Sequence, residues 1–178
     1  MNSDTYHLRK LLIDIARAEV GTREEGTSNS GPRVRQYQAA TSLGGTGWPW
    51  CAALVCWCIR KWIQIPDVAA AIKSRYNVTD LERWRPKTAA AFGFHEWAED
   101  HGALMFDDSG KTTLHTGDIM TFDISHVGLV VNDDRNNIFT IEGNTSGPAR
   151  AGSQRDGGGV WERVRQLHEA RRFVRILP

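Results

Sequence analysis

A proline lies near the start of a long apolar run, Trp-Pro-Trp-Cys-Ala-Ala-Leu-Val-Cys-Trp-Cys-Ile over residues 48–59. Proline lacks a backbone N–H and cannot lie inside a helix, so the predicted helix begins at Trp50 or Cys51. Cys51 therefore falls in the first turn, where free backbone N–H groups and the helix dipole favour a thiolate. This position predicts a nucleophilic cysteine.

The two other cysteines, Cys56 and Cys58, lie in the body of the same predicted helix and are interpreted as core residues. They point to nearly opposite faces, and Cys51 is about 10 Å from Cys58 by helix rise, so no disulfide is expected. The three thiols do not converge on one point, which argues against a zinc site. For Cys51 the alternative remains that it is one more buried cysteine.

Length and composition indicate what kind of protein contains this helix. A chain of 178 residues with 40% hydrophobic content predicts a single globular domain over residues 1–178, and we expect a monomer. The net charge of +1 indicates no particular partner, so no nucleic acid is expected. The N-terminus lacks the features of a signal peptide and no apolar run reaches membrane-spanning length, which predicts a soluble protein made in the cytoplasm without a membrane partner.

Hydrophobic periodicity predicts several more helices. One is expected over residues 6–20, with Asp4 or Thr5 as its N-cap and Gly21 as its end. A short helix is expected from Pro32, and two longer ones over residues 67–76 and 88–101. Apart from these two longer helices, the pattern from about residue 64 to 116 is less regular.

After Asp118 the pattern changes to short runs typical of strands, over residues 119–122, 126–131 and 138–142. A hairpin whose five-residue turn, 132–136, is centred on Asp134 places His126 directly opposite Glu142. Cross-strand neighbours have Cβ atoms about 5 Å apart, which suits an imidazole–carboxylate hydrogen bond. Asn144 falls on the same face if the strand continues.

A cysteine at a helix start, a histidine on a strand and a carboxylate beside that histidine are the components of a Cys-His-Glu catalytic site. The alternative is that His126 and Glu142 merely end two strands. Their shared register and the presence of Cys51 upstream favour the catalytic interpretation.

The region after Ala149 is rich in arginine. A basic patch can bind polyanions or an acidic partner. The alternation of apolar and charged residues instead favours closing strands of the sheet with solvent-facing arginines, and with Val160, Val164, Phe173, Val174 and Ile176 buried. The arginines are Arg150, Arg155, Arg163, Arg165, Arg171, Arg172 and Arg175.

Four motifs resemble the CHAP amidase/peptidase domain, a branch of the NlpC/P60 papain-like superfamily: Trp-Cys-Ala-Ala-Leu-Val at 50–55, Gly-Asp-Ile at 117–119, His-Val-Gly at 126–128 and Glu-Gly-Asn at 142–144. The resemblance covers most of the chain and implies a papain-like α+β domain, with the cysteine-bearing helix packed on an antiparallel sheet. Residues 64–90 depart from the family pattern as an insertion. The acidic calcium loop of some members is missing, so neither a metal nor another cofactor is expected.

The resemblance also implies a function, hydrolysis of an amide or peptide bond in bacterial peptidoglycan. In this scheme Cys51 attacks the carbonyl, His126 protonates the leaving amine and later activates water, and Glu142 orients the histidine. Asn144 supports the histidine or the substrate. Trp48 and Trp50 line the substrate groove, unless one of them is a buried packing residue.

Two other classes of function stay open at this point. One is a non-catalytic cell-wall binding module, against which the intact Cys51, His126 and Glu142 argue. The other is a papain-like acyltransferase or deamidase that acts on a lipid or protein. A wall hydrolase without an export signal is expected to reach peptidoglycan by another route, as a phage endolysin or as an antibacterial effector injected into a competitor's periplasm. An injected effector implies an immunity protein that covers the Cys51 groove.

Overall fold

The computed structural model describes residues 3–107, 113–134, 137–147 and 153–178. The helices of these ranges are α1 (Ser3–Arg17), α2 (Pro32–Gln38), α3 (Cys51–Trp62), α4 (Pro66–Tyr76), α5 (Leu81–Trp84), α6 (Gly93–His101) and a 3₁₀ turn at Leu167–Glu169. The strands are β1 (Leu104–Phe106), β2 (Ile119–Phe122), β3 (His126–Asp134), β4 (Asn137–Thr145), β5 (Gly159–Gln166) and β6 (Ala170–Arg175). The fold is therefore α+β, with the helices first and the sheet after them.

The described strands form a six-stranded sheet in the order β1-β6-β2-β3-β4-β5, and its neighbouring strands are all antiparallel. One face packs against α1 and α3. The opposite face carries a second apolar cluster that includes Met120, Phe122, Val130, Ile138 and Phe173. The sheet is thus buried on both faces in its centre.

Helix α3 is the central helix of the molecule, and it begins at Cys51 as predicted. Ten of its twelve residues are buried, so the helix is enclosed on nearly every side. It approaches the sheet closely at Gly143, where an added Cβ atom would lie 2.9 Å from side-chain atoms of both Leu54 and Trp50. The absence of a side chain at Gly143 therefore sets the distance between α3 and β4.

Helix α1 differs from its predicted bounds at both ends. It includes Asp4 and Thr5, so neither residue is an N-cap, and it ends at Arg17, before Gly21. After Arg17 the chain continues in tighter turns, in which the N–H groups of Glu19 and Val20 donate to carbonyls three residues back. The Gly21 N–H then donates to the Val160 carbonyl, 2.9 Å away, which ties this segment to the sheet.

The other helical predictions are mostly confirmed. Helices α2 and α4 lie where they were expected. Helix α6 begins at Gly93, five residues later than predicted, because the Thr88 hydroxyl hydrogen-bonds the backbone of Ala90 and holds a turn there. It ends at Gly102, whose φ of 66° suits glycine.

The predicted register of the β3–β4 hairpin is wrong by two residues. Glu142 lies opposite Gly128, and not opposite His126. The strands extend further than expected, to Asp134 and from Asn137, so residues 132–134 are strand; residues 135 and 136 of the predicted turn lie outside the described residues. An irregularity between Val130 and 132 shifts the pairing by one more residue near the turn.

Because side chains alternate with a period of two, a register shifted by two residues still places Glu142 on the predicted face of the sheet. Glu142 is therefore on the same face as His126, as its diagonal neighbour. Gly128 makes room for the carboxylate, since a Cβ atom there would lie 2.6 Å from Glu142 Cγ. Register and glycine together bring the two polar side chains to one place.

The C-terminal strands are confirmed, with one correction. Val160, Phe173, Val174 and Ile176 are buried, whereas Val164 is 56% exposed. The inward position on β5 is taken by Arg165 instead, whose side chain is 2% exposed. Strand β5 lies at an edge of the sheet, while β6 lies between β1 and β2.

The expectation that the C-terminal arginines face solvent is wrong for Arg165 and Arg175, which are 2% and 4% exposed. Each is paired with a buried carboxylate, as is usual for buried charges. Arg150 lies outside the described residues. Within the described ranges, no helix combines the length and the hydrophobicity that crossing a bilayer requires.

Candidate active site

Cys51 is the first residue of α3 and is 5% exposed. The first helical bond runs from the Leu54 N–H to the Trp50 carbonyl at 3.0 Å, so the N–H groups before Leu54 have no partner within the helix. These donors and the positive end of the helix dipole lie at the end of the helix that carries Cys51. The structure thus places Cys51 where the sequence predicted it, in the first turn of α3.

His126 is the first residue of β3 and is fully buried. Its Nε2 atom lies 2.9 Å from Glu142 Oε2. A carboxylate only accepts hydrogen bonds, so Nε2 is the protonated nitrogen. Nδ1 has no hydrogen-bond partner among the described residues, which leaves it as the nitrogen available to the thiol.

Glu142 is fully buried, and four donors bind its two oxygens. Oε1 accepts from the Thr140 hydroxyl at 2.6 Å and from Arg165 Nε at 2.8 Å. Oε2 accepts from His126 Nε2 and from Arg165 Nη2, at 2.9 and 2.5 Å. The carboxylate is fixed on both sides.

The protonation states of His126 and Glu142 depend on each other. Burial alone would lower the pKa of His126, but interactions with Cys51 and Glu142 outweigh it and raise the pKa to about 9. Burial alone would raise the pKa of Glu142, but Arg165 and His126 outweigh it and lower that pKa to about 2. The interactions with Cys51 and Glu142 thus favour the protonated form of the imidazole.

The other two cysteines are confirmed as core residues. Both are fully buried, and burial raises the pKa of Cys56 to about 12 and also raises the pKa of Cys58. Cys56 donates weakly to the Thr88 carbonyl, with a sulfur–oxygen distance of 3.4 Å. All three cysteines are free thiols.

The two tryptophans near Cys51 have different environments. Trp50 is fully buried, stacks on Tyr37 at 5.4 Å between ring centroids, and donates its indole N–H to Glu24 at 2.8 Å. It is therefore a packing residue and lines no groove. Trp48 is partly exposed and donates to the Gly44 carbonyl at 3.0 Å, so it is the one of the pair that a substrate can reach.

Asn144 lies near the end of β4, with a positive φ of 55° and 1% exposure. Its carbonyl accepts the Gly157 N–H at 2.9 Å. Its side-chain Nδ2 has no hydrogen-bond partner among the described residues. The side chain therefore carries a buried donor that no described residue accepts.

Sequence reasoning missed two residues of the site, Thr140 and Arg165. Thr140 was detectable in principle, because it precedes Glu142 by two positions on one strand and so shares its face. The sequence pattern did not indicate Arg165, because its apolar neighbour Val164 was predicted to take the inward position on the strand. Among the described residues, no cluster of three or more His, Cys, Asp or Glu side chains is arranged to hold a metal ion.

No protein-family model matches the sequence, and no curated protein matches it. Among solved structures, the crystal structure of Ly7917 is similar at a TM-score of 0.49 and 15% sequence identity. The match covers 93% of this chain and 61% of the Ly7917 chain, so this chain spans less than two thirds of that protein. At this level of similarity the comparison carries no information on function.

Proposed function

We propose that this chain is a cysteine amidase or endopeptidase of bacterial peptidoglycan, built on a papain-like domain of the CHAP and NlpC/P60 type. The observation that carries the proposal is the buried hydrogen bond between His126 and Glu142, on a histidine that also interacts with the helix-start Cys51. A thiol, an imidazole and an orienting carboxylate in this order form an activated nucleophile.

The fold supports the same assignment at a coarser level. The nucleophile is at the N-terminus of a buried helix, that helix packs on an antiparallel sheet, and the histidine begins a central strand of the sheet. The motifs around Cys51, His126 and Glu142 resemble the CHAP pattern in the same order along the chain.

The proposed reaction is acyl transfer in two steps. The Cys51 thiolate attacks the carbonyl carbon of the scissile amide, and His126 gives its Nδ1 proton to the leaving amine. Water then attacks the resulting thioester while His126 takes the proton, which restores the thiolate and releases the acid. Glu142 holds the Nε2 proton throughout and stabilises the imidazolium.

Two donors are suited to the substrate in this scheme. The backbone N–H of Cys51 at the helix start is available to the developing oxyanion. The unused Nδ2 of Asn144 is a second donor, and its burial makes an unsatisfied state costly until a substrate carbonyl accepts from it. Trp48 is three residues before Cys51 and partly exposed, and we expect the substrate to contact it.

The test is incubation of the purified protein with isolated peptidoglycan, followed by mass analysis of the released fragments. We expect fragments that each carry one new amine or carboxyl end, and none with Cys51→Ala. Retention of the protein on peptidoglycan without fragment release would instead support a binding module. Acyl transfer to a lipid or protein, without wall cleavage, would support an acyltransferase or deamidase.

We further propose that the protein acts on the outer side of the cytoplasmic membrane, where peptidoglycan is located, as a phage lysis protein or as an injected effector. An immunity protein that covers Cys51 is the partner expected for an effector. Expression in the cytoplasm should be tolerated, expression with an added periplasmic signal should lyse the cell, and Cys51→Ala should remove the lysis. Equal toxicity from both compartments would contradict this placement.

A further inference from the structure

The Glu142 carboxylate receives two of its four hydrogen bonds from one residue, Arg165. Nε donates to Oε1 at 2.8 Å and Nη2 donates to Oε2 at 2.5 Å, so the guanidinium and the carboxylate meet in a two-point pair. The side chains of Arg165 and Glu142 are 2% and 0% exposed. Neither charge is screened by solvent.

The remaining contacts of Arg165 leave it little freedom. Nη1 donates to Gln154 Oε1 at 2.6 Å, and the guanidinium carbon lies 4.8 Å from the centre of the Phe122 ring. The same Phe122 ring is 5.5 Å from the imidazole of His126. Arg165, Phe122, Glu142 and His126 therefore form one packed group on one face of the sheet.

We propose that Arg165 is a positioning residue of the active site. It holds the Glu142 carboxylate in the orientation that keeps Nε2 of His126 protonated and Nδ1 available to Cys51. Its positive charge also weakens the attraction of the Glu142 carboxylate for the imidazolium, so that the imidazolium gives up its proton more easily. The catalytic meaning of this role rests on the proposed function. The physical coupling from Arg165 through Glu142 to His126 does not.

The orientation of the Glu142 carboxylate depends on its hydrogen-bond donors. Without Arg165, the Thr140 hydroxyl is the remaining described hydrogen-bond partner of Oε1. The carboxylate can then rotate about its last bond, and the His126 ring can follow it. Small displacements of a proton-transferring ring have large effects on rate.

The positive charge of Arg165 also affects how strongly His126 holds its proton. The guanidinium neutralises much of the negative charge that His126 faces, so its removal makes the surroundings of the imidazolium more negative. The histidine should then hold its proton to higher pH and give it up less readily to a leaving amine. A purely structural arginine would change stability without this effect.

The experiment measures the pKa of His126 by NMR of the imidazole ring in the complete chain, for wild type, Arg165→Met and Arg165→Lys. We expect a higher pKa in Arg165→Met and an intermediate value in Arg165→Lys, which keeps the charge but loses the two-point geometry. The matched control is Arg175→Met. Arg175 is also buried and paired at two points with a buried carboxylate, that of Asp118 at 2.7 Å, but does not contact Glu142.

Activity on peptidoglycan gives a second readout. We expect Arg165→Met to lower kcat by about 100-fold with little change in KM, and to have a much smaller effect when Glu142→Gln is already present, because the two residues act through one path.

An unchanged His126 pKa in both Arg165 variants, or an equal shift in Arg175→Met, would overturn the proposal. If Arg165→Met does not fold, the Arg165→Lys titration decides. If the wild type cleaves no peptidoglycan, the proposed function fails, while the titration still tests the coupling.

Discussion

At the scale of residues, the chain contains three thiols in one helix, and the structure separates them by environment. Cys51 is at the helix start beside His126, whereas Cys56 and Cys58 are fully buried among apolar side chains. Burial in apolar surroundings stabilises the thiol form, and a neighbouring imidazolium stabilises the thiolate. The three residues should therefore differ in reactivity by a wide margin.

This difference predicts selective alkylation. Iodoacetamide at pH 6 to 7 should modify Cys51 in the folded protein and leave the other two cysteines unmodified, as read by peptide mass mapping. His126→Ala should slow the modification of Cys51, because the imidazole that interacts with the thiol is gone. Labelling of all three cysteines at equal rates would refute the assignment of Cys51.

Glu142 predicts a pH dependence of stability. Its pKa of about 2 in the folded state lies below the unfolded value of about 4.3. The stabilisation, roughly 3 kcal/mol, is therefore fully present above pH 4.3 and is lost as the pH falls toward 2. The difference in unfolding free energy between wild type and Glu142→Gln should shrink over this range, in denaturant titrations at several pH values. A difference that is constant with pH would contradict the charged state of Glu142.

At the scale of elements, the contact between α3 and β4 sets the position of Cys51 relative to His126. The close approach at Gly143 depends on the missing side chain there, since both Leu54 and Trp50 occupy the space that a Cβ atom would need. Trp50 directly precedes Cys51. A displacement of α3 at this point is therefore transmitted to the thiol.

Gly143→Ala should lower the stability by about 1 to 3 kcal/mol through overpacking and also slow the alkylation of Cys51. Gly102→Ala is the matched control. Gly102 has a φ of 66° and no atoms near its Cβ position, so this change strains the backbone at the end of α6 without touching the site. The control should lose stability and keep the reactivity of Cys51. Equal reactivity in both variants would show that Gly143 does not position α3.

At the scale of the whole molecule, the helical half supplies Cys51 and the sheet supplies His126, Glu142 and Arg165. The sequence was sufficient for the start of α3, the existence of the β3–β4 hairpin and the shared face of His126 and Glu142, because these depend on proline and on side-chain alternation. It was not sufficient for the register, which depends on an irregularity after Val130 and on strand ends beyond the apolar run. It also failed for Arg165, because inward orientation of a charge depends on a partner from another strand.

The thiol of Cys51, from the helical half, and the imidazole of His126, from the sheet, interact as one pair. The most direct measurement is an NMR titration of the His126 ring in the wild type and in Cys51→Ala. In the wild type we expect a pKa of about 9. In Cys51→Ala we expect a clearly lower value, because one of the two interactions that raise it is removed while Glu142 remains. The same pKa in both proteins, or a wild-type value near the ordinary histidine pKa of about 6.5, would contradict the account.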